Sequence, residues 1–251
     1  MLKPPVPRMG GKSKLRKTII EKIPQHICYV ELFFGAGWVY FGKEKSKVEV
    51  INDIDKELIN LFRMMKYHAP EVERQLEYEF SGRDVFEEYK NYTVEHLTEI
   101  HRSVRFLYLI SQSFASKGNH YGYGTTSKPK PQIFYEGVLK DIKNRLRNTY
   151  VENLSFEKII EKYDREHTFF FCDPPYWETA GYGNDFGEKE HLLLRDKLKN
   201  LRGKFLLTIN DHPTVREWYK DFNIIETEVN YSISRDKKGR GKYNELIITN
   251  Y

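Results

Sequence analysis

The amino-acid sequence predicts an α/β fold with a mostly parallel sheet. Two observations lead to this prediction: short apolar runs recur along the chain, and segments with helical periodicity separate them. Strand, helix and strand in this order are typical of βαβ units with a right-handed crossover. The predicted strands are HICYVELFF, KVEVIND, HTFFFCD and KFLLTIND. The predicted helices are KLRKTIIEKI, IDKELINLFRMMKYH, EKEHLLLRDKLKNL and HPTVREWYKDF.

The first third of the chain begins the predicted sheet. KLRKTIIEKI has apolar residues at helical spacing and stops at Pro24, where a helix cannot continue. HICYVELFF is apolar almost throughout and ends in the glycines of FFGAG, after which GWVYFGKE suits the start of a helix. KVEVIND then predicts a second strand that ends at an acid.

Residues 61–160 have a different pattern. Charged helical segments such as VEHLTEIHRSVRFLYLISQSF are interrupted by the loop ASKGNHYGYGTTSKPKPQIFYEG, and no convincing parallel strand occurs there. We therefore expect a helical subdomain at 61–160, inserted into an α/β domain made of residues 1–60 and 161–251.

The end of the chain predicts a β-hairpin at the sheet edge. Two strand-like segments, IIETEVNY and NELIITNY, flank the basic turn RDKKGRGK. Two short strands joined by such a tip are typical of a hairpin.

Composition indicates a globular protein with a polyanionic partner. The 251 residues are 39% hydrophobic and 31% charged, which is enough to build one large domain with its own core. The net charge is +5, and lysines and arginines gather in residues 1–20, 101–135 and 235–242. The first two of these segments contain no acid. Basic patches on loop-like segments favour nucleic acid as the partner.

Several kinds of site and segment are not expected. No apolar run reaches the roughly 18 residues that a membrane helix needs, and the N-terminal segment lacks the apolar region of a signal peptide. Cys28 and Cys172 both lie in apolar runs, so we expect buried thiols in a reducing compartment. The sequence has no HxxxH or CxxC spacing, and we expect no metal site.

The segment FFGAG, residues 33–37, predicts a nucleotide-like ligand. Glycines after an apolar strand allow a ligand to approach the backbone at the start of a helix. Asp53 ends the next strand, where an acid can accept hydrogen bonds from ribose hydroxyls; Asp55 either competes for this role or caps the following helix. These features together predict an adenosine-containing cofactor. Lys12 follows two glycines and either reaches over this cofactor or is a solvated lysine at a helix start.

The segment TFFFCDPPYW, residues 168–177, ends a predicted core strand in an acid and two prolines. Each proline fixes its φ, lacks an N–H and biases the preceding residue towards extended geometry. The Asp173 carboxylate and the Pro174 carbonyl therefore become two stiff acceptors beside the flat ring of Tyr176. Such acceptors suit the amine of a planar base, because accepting both N–H groups localises the lone pair for attack. Stacking on the ring adds roughly 1–3 kcal/mol; the alternative is a plain turn after a core strand.

The order FxGxG, acid, helical insert and DPPY resembles the Dam-like DNA adenine methyltransferases of the alpha motif order. The resemblance covers most of the chain. It rests on RMGGKSKL, ELFFGAGWVYF, INDIDKELINLF, FLYLISQSFASKGN and FFCDPPYWET. It implies DNA as substrate, S-adenosyl-L-methionine (SAM) as methyl donor and 61–160 as a target-recognition insert. The implied fold is a Rossmann-like SAM-dependent methyltransferase sheet, mostly parallel with one antiparallel edge strand.

The resemblance also implies site residues by position. Those implied for SAM are Arg8, Lys12, Phe34, Gly35, Ala36, Gly37, Asp53 and Asp173. Those implied for the target base are Asp173, Pro174, Pro175 and Tyr176. Arg8 stands where the family often has an aromatic residue, and its planar guanidinium can stack in the same way.

The implied mechanism flips an adenine out of the duplex and methylates its amine, with no covalent intermediate and no role for Cys172.

Contacts with DNA are predicted in the insert loop and at the hairpin tip. For each of these residues the alternative is a solvated surface residue that does not bind DNA. In the insert loop, these contacts are Lys117, Asn119, His120, Tyr121, Tyr123, Lys128 and Lys130. At the hairpin tip, they are Arg235, Lys237, Lys238 and Arg240.

Two other functions stay open from sequence alone. The first is the same chemistry on cytosine in DNA or on adenine in RNA, and the second is a catalytically silent DNA-binding relative. We expect a monomeric bacterial or phage protein that acts on duplex DNA in the cytoplasm. A cognate restriction endonuclease is a further candidate partner, and the recognition sequence is open.

Overall fold

The computed structural model describes residues 1–8, 11–125, 138–178, 186–231 and 241–251. Within these residues the strands are β1 (Cys28–Glu31), β2 (Val48–Asn52), β3 (Thr149–Glu152), β4 (Thr168–Cys172), β5 (Lys204–Asn210), β6 (Asn223–Tyr231) and β7 (Gly241–Thr249). The helices are α1 (Arg16–Lys22), α2 (Trp38–Gly42), α3 (Lys56–Tyr67), α4 (Ala69–Glu77), α5 (Arg83–Asn91), α6 (Glu99–Gln112), α7 (Val138–Leu146), α8 (Phe156–Tyr163), α9 (Glu188–Lys199) and α10 (Pro213–Trp218).

The strands form one sheet in the order β3-β2-β1-β4-β5-β7-β6. β1 is parallel to both β2 and β4, and β4 is parallel to β5. β7 is antiparallel to β5 and to β6. This confirms the predicted mostly parallel sheet with one antiparallel strand at its edge region, where β7 lies one position in from β6.

The predicted hairpin at the end of the chain is also confirmed. β6 and β7 pair in a continuous register from Asn223 opposite Thr249 to Tyr231 opposite Gly241. The tip of the hairpin, 232–240, lies outside the described residues.

The prediction of helices alone over 61–160 misses β3. This strand is only four residues long, TYVE, and Thr149 is its one fully buried residue. So short and polar a segment lacks the apolar run that marks β1, β2, β4 and β5 in the sequence.

The chain divides into two compact units. The first comprises Met1–Ser13, Gly35–Lys43 and Asp53–Asn153, and the second comprises Lys14–Phe34, Glu44–Asn52 and Leu154–Tyr251. A small hydrophobic cluster in the first unit contains Phe86, Tyr108 and Leu109.

The second unit is built on the apolar strands. Its core takes Val30 from β1, Phe170 and Cys172 from β4, and Leu207 and Ile209 from β5. Every residue of β4 is buried, which explains the unbroken apolar run TFFFC in the sequence.

The register between β4 and β5 determines what lies at the end of β4. Phe171 is level with Leu206 and Cys172 with Leu207, and β5 continues beyond this pair to Asn210. The last residues of β5 therefore extend alongside the segment that follows Cys172.

Both cysteines are free and buried. Burial raises the pKa of the Cys28 thiol and raises that of Cys172 further. The burial of both thiols agrees with the prediction from the sequence. Thiols held in the neutral form inside a sheet are poor nucleophiles.

Over the described residues, every helix is too short or too polar to cross a membrane.

Candidate functional site

The glycine-rich turn after β1 is held by the carboxylate of Asp53. Oδ2 of Asp53 accepts the backbone N–H of Gly35 at 2.8 Å, and Oδ1 accepts the N–H of Asp55 at 3.0 Å. Gly35 has φ +51°, and no atom lies within 4 Å of the place where a Cβ would stand. The turn therefore presents open backbone, into which a ligand can come close.

Asp55 caps helix α3. Its Oδ1 accepts the N–H groups of Glu57 and Leu58 at 3.1 and 3.2 Å, and its Oδ2 forms an ion pair with Arg8 at 2.9 Å. Of the two roles that the sequence left open for Asp55, the structure shows the helix cap. It also leaves Asp53 as the acid that contacts the glycine turn.

Asp53 is an acid in a largely desolvated place. Burial raises the pKa of its carboxyl above the ordinary value. The charge of Arg8 and the N–H groups of Asp55 and Gly35 act in the opposite direction. Each oxygen of this carboxylate accepts one N–H group and has a lone pair left for a further donor.

Among the other residues predicted for SAM, Phe34, Ala36 and Gly37 belong to the same turn, and Lys12 lies in the N-terminal segment. Lys12 is only 4% exposed, so the interpretation as a solvated lysine is wrong. Phe34 and Ala36 are buried, and the N–H of Phe34 donates to the carbonyl of Asn52. Gly37 has φ +73° and precedes α2, a conformation that favours glycine.

Asp173 directly follows β4 and is partly buried. Its Oδ1 accepts the hydroxyl of Thr208 at 3.0 Å. Thr208 is the next residue of β5 after Leu207, the partner of Cys172, so the parallel register brings the two side chains level.

The segment after the two prolines is held by a side-chain amide. Asn210, the last residue of β5, accepts the N–H of Trp177 at 2.9 Å and donates to the carbonyl of Trp177 at 3.0 Å. Pro174 and Pro175 have no N–H for the strand ladder. The amide of Asn210 therefore supplies a strand-like pair of hydrogen bonds beyond the end of the ladder.

Aromatic rings pack beneath this segment. Tyr176 and Trp177 are partly buried against the core of the second unit. Trp177 contacts Trp218 at 4.9 Å between ring centroids and His191 at 5.7 Å. The DPPYW segment is thus fixed by ring packing as well as by Asn210.

Hydrogen bonds join the two sides of the loop that is predicted to contact DNA. Ser113 and Tyr121 form an antiparallel bridge, and the Ser113 hydroxyl accepts the N–H of Gly118 at 2.8 Å. Arg83 lies over the rings of Tyr121 and Tyr123, at 5.4 and 5.1 Å from their centroids. The predicted contacts that this loop exposes are Lys117, Asn119, His120 and Tyr123, while Tyr121 is partly buried.

The remaining predicted DNA contacts lie outside the described residues. These are Lys128 and Lys130 in the insert and Arg235, Lys237, Lys238 and Arg240 at the hairpin tip. Over the part of the chain that the structure describes, no group of three or more His, Cys, Asp or Glu side chains is arranged to hold a metal ion.

Three residues of these sites were not predicted. Thr208 and Asn210 lie in the predicted strand KFLLTIND, and Arg83 lies in an acidic helical segment. A polar residue inside an otherwise apolar strand was the available signal for Thr208. Its partner depends on strand order and register, which the sequence pattern does not give.

Comparison with known proteins identifies relatives over nearly the whole chain. A family profile described as D12 class N6 adenine-specific DNA methyltransferase matches residues 9–233. A type II methyltransferase of Lactococcus lactis subsp. cremoris, M1.LlaDCHI, is 28% identical over 269 residues, covering 96% of this chain and 93% of the relative. The DNA adenine methylase of Escherichia coli K12 is 27% identical over 265 residues, covering 95% and 91%.

A viral protein and a solved structure are also similar to this chain. The type II methyltransferase M.CviBI of Paramecium bursaria Chlorella virus NC1A is 26% identical over the full length of both chains. Among solved structures, the N-terminal domain of human METTL16 in complex with SAH aligns with a TM-score of 0.41 and 9% identity, covering 94% of this chain and 68% of that one. This structural likeness is too distant to carry an argument about function.

The stability of the protein should depend on His191 in mildly acidic solution. His191 is fully buried, and neither ring nitrogen has a hydrogen-bond partner within the described parts of the chain. Burial lowers its pKa to about 4 from 6.5. Between these two values the unfolded chain binds more protons than the folded one, so stability falls as the pH falls from 6.5 to 4, by roughly 3 kcal/mol.

Chemical denaturation at several pH values measures this effect. His191→Phe removes the titrating group and should flatten the pH dependence over this range relative to the wild type. His167→Phe, at an exposed histidine, is the matched control and should keep the wild-type slope. Equal slopes for His191→Phe and the wild type would contradict the prediction.

Proposed function

Because this chain belongs to the D12 class N6 adenine-specific DNA methyltransferase family, we propose that Asp173 and Pro174 hold the amino group of the target adenine and that Tyr176 stacks on its ring. The protein is a SAM-dependent DNA adenine methyltransferase. The family gives no support to the alternatives of cytosine or RNA. The observation that carries the proposed roles is the stiff segment that leaves the buried strand β4, with Asp173 as its first residue.

The proposed residues would act on the reactivity of the amine. The lone pair of an adenine amine is delocalised into the ring, which makes it a poor nucleophile. Two acceptors that bind both N–H groups favour a pyramidal nitrogen, which localises the lone pair on the amine and orients it for attack. SAM, when bound, would supply a sulfonium-activated methyl group to this amine, with the sulfur leaving as a neutral thioether that keeps the electrons of the broken S–CH₃ bond. The methylated amine would become neutral again by losing one N–H proton.

We propose that the glycine turn of the first unit binds SAM. Asp53 would accept the ribose hydroxyls, while Gly35, Ala36 and Gly37 allow close approach of the cofactor to the backbone. The open space at Gly35 and the desolvated carboxylate of Asp53 both fit this role. Phe34, Lys12, Arg8 and Asp173 complete the proposed set.

We propose that 61–160 is the target-recognition region. The exposed Lys117, Asn119, His120 and Tyr123 would meet DNA, together with the basic residues proposed in the insert and at the hairpin tip. Lysines at phosphates hold the duplex by a salt-sensitive interaction. The target adenine is flipped out of the stack, at a cost of a few kcal/mol.

The biological setting is also a proposal. The relatives include type II methyltransferases, so we propose that the protein works beside a cognate restriction endonuclease. We further propose that it acts as a monomer on DNA in the cytoplasm.

Asp53→Asn should weaken SAM binding by about tenfold to a hundredfold. An asparagine has one side-chain acceptor oxygen, whereas Asp53 uses two for Gly35 and Asp55, and its NH₂ would face a backbone N–H. Isothermal titration with SAM measures the change. Asp196→Asn, at an exposed acid of α9, should bind as the wild type does. Unchanged affinity in Asp53→Asn would remove Asp53 from the proposed site.

Asp173→Ala should reduce methyl transfer by about a hundredfold to a thousandfold, because it removes one preset acceptor for the amine. The assay uses SAM with a labelled methyl group and unmethylated mixed-sequence DNA, followed by digestion and identification of the methylated nucleoside by mass. Asp221→Ala, at an exposed acid of the same unit, is the control. Equal transfer by Asp173→Ala and the wild type would refute the proposed role of Asp173. No transfer by either protein would support the alternative of a catalytically silent DNA-binding relative.

Lys117→Glu should weaken DNA binding several-fold and reduce the slope of log affinity against log salt by about 1. Fluorescence anisotropy with labelled duplex DNA over a series of salt concentrations measures both quantities. Lys158→Glu, at an exposed lysine of α8, makes the same charge change outside the proposed surface. If both variants weaken binding equally, only overall charge matters and Lys117 is not a specific contact.

A further inference from the structure

We propose that Thr208 is a positioning residue for methyl transfer, which fixes the orientation of the Asp173 carboxylate. This inference rests on the proposed role of Asp173 as an acceptor for the adenine amine. Thr208 would not touch the base or the cofactor, and it would act only through Asp173.

The sheet register makes the contact between the two side chains a consequence of the fold. Cys172 is level with Leu207 in the parallel pair of β4 and β5, so Thr208 is level with the first residue after β4. Residues that are level in a parallel pair place their side chains on the same face of the sheet. The Thr208 hydroxyl accordingly donates to Oδ1 of Asp173 at 3.0 Å.

Thr208 is a well-defined donor. It is fully buried, so its hydroxyl has no solvent to rotate towards. A threonine is also stiff at χ1, because its β-carbon carries two heavy atoms. The carbonyl of Cys172 lies 3.5 Å from the same hydroxyl, which makes the Asp173 oxygen the better placed acceptor.

An aspartate carboxylate needs such a donor if its plane is to be fixed. The terminal torsion of aspartate has a broad distribution, so the backbone does not determine the plane of the carboxylate. A donor on one oxygen sets this plane, and hydrogen bonds to a charged acceptor are among the stronger ones in proteins.

The backbone around Asp173 is already restrained. Pro174 and Pro175 limit the chain directions that follow it, and the amide of Asn210 holds Trp177 by two hydrogen bonds. The orientation of the acceptor pair also depends on the side-chain torsion of Asp173, and the hydrogen bond from Thr208 restrains this torsion.

The test compares variants that remove or keep the hydroxyl. Thr208→Val has nearly the same shape without the donor, and Thr208→Ser keeps the donor. Thr168→Val is the matched control. Thr168 is also buried, but it starts β4, the strand that Asp173 follows, and its hydroxyl donates to the carbonyl of Tyr163. Single-turnover methyl transfer is measured with saturating labelled SAM and unmethylated DNA. The KM for SAM and the KM for DNA are measured as well.

Thr208→Val should lower the single-turnover rate by about tenfold to a hundredfold, with both KM values within about threefold of the wild type. Thr208→Ser should stay within about threefold of the wild-type rate, and so should Thr168→Val. A Thr208→Val rate equal to the wild type would overturn the inference. A loss that appears only in KM would overturn it as well, because positioning of Asp173 acts on the chemical step.

A crystal structure of Thr208→Val gives a readout that does not need activity. The expected result is a rotated or disordered Asp173 carboxylate in an otherwise unchanged sheet; an unchanged carboxylate would overturn the inference. Should Thr208→Val fail to fold, Thr208→Ala against Thr168→Ala replaces it in both experiments. If the wild type transfers no methyl group, the proposed function fails, while the crystal structures still decide whether Thr208 positions Asp173.

Discussion

The parallel register between β4 and β5 is the constraint on which the proposed base-binding segment depends. It leaves the last residues of β5 alongside the chain that emerges from β4, and two of them, Thr208 and Asn210, bind that chain. A slip of one residue would turn every side chain of β5 to the opposite face of the sheet. Asp173 would then be level with an apolar residue, Leu207 or Ile209, and would lose the hydrogen bond from Thr208.

A different constraint organises the first unit. One carboxylate, Asp53, accepts the N–H of Gly35 in the glycine turn and the N–H of Asp55 at the start of α3. The charge of Arg8, which is paired with Asp55, and the two N–H groups lower the pKa of Asp53 and offset part of the cost of keeping it charged while desolvated, whereas the charge of Asp55 acts against them. The shape of the glycine turn and its electrostatics therefore rest on the same small group of side chains.

Much of the fold could be predicted from the sequence because its signals are local. Apolar runs marked β1, β2, β4 and β5, and the basic turn marked the hairpin of β6 and β7. Glycines and prolines marked the two segments with proposed chemical roles, since each of these residue types restricts or frees the backbone in a specific way. β3 was missed because a short polar edge strand carries no such signal.

The residues that orient the proposed site were harder to predict than the residues of the site itself. Asp173 stands in a motif that can be read along the chain, whereas Thr208 is 35 residues away and meets it only through the pairing of two strands. The same holds for Arg83, whose place over Tyr121 and Tyr123 depends on how α5 packs against the loop. Local pattern predicts which residues carry chemistry, and tertiary pairing decides which residues orient them.

The two buried thiols have a practical consequence for studying the dynamics of this sheet. Cys28 begins β1 and Cys172 ends β4, and the chain has no other cysteine. A thiol reagent can modify either one only when its strand opens, so the two labelling rates report separately on opening at the start of β1 and at the end of β4. The natural sequence thus contains its own pair of probes for local unfolding, and one of them lies next to Asp173.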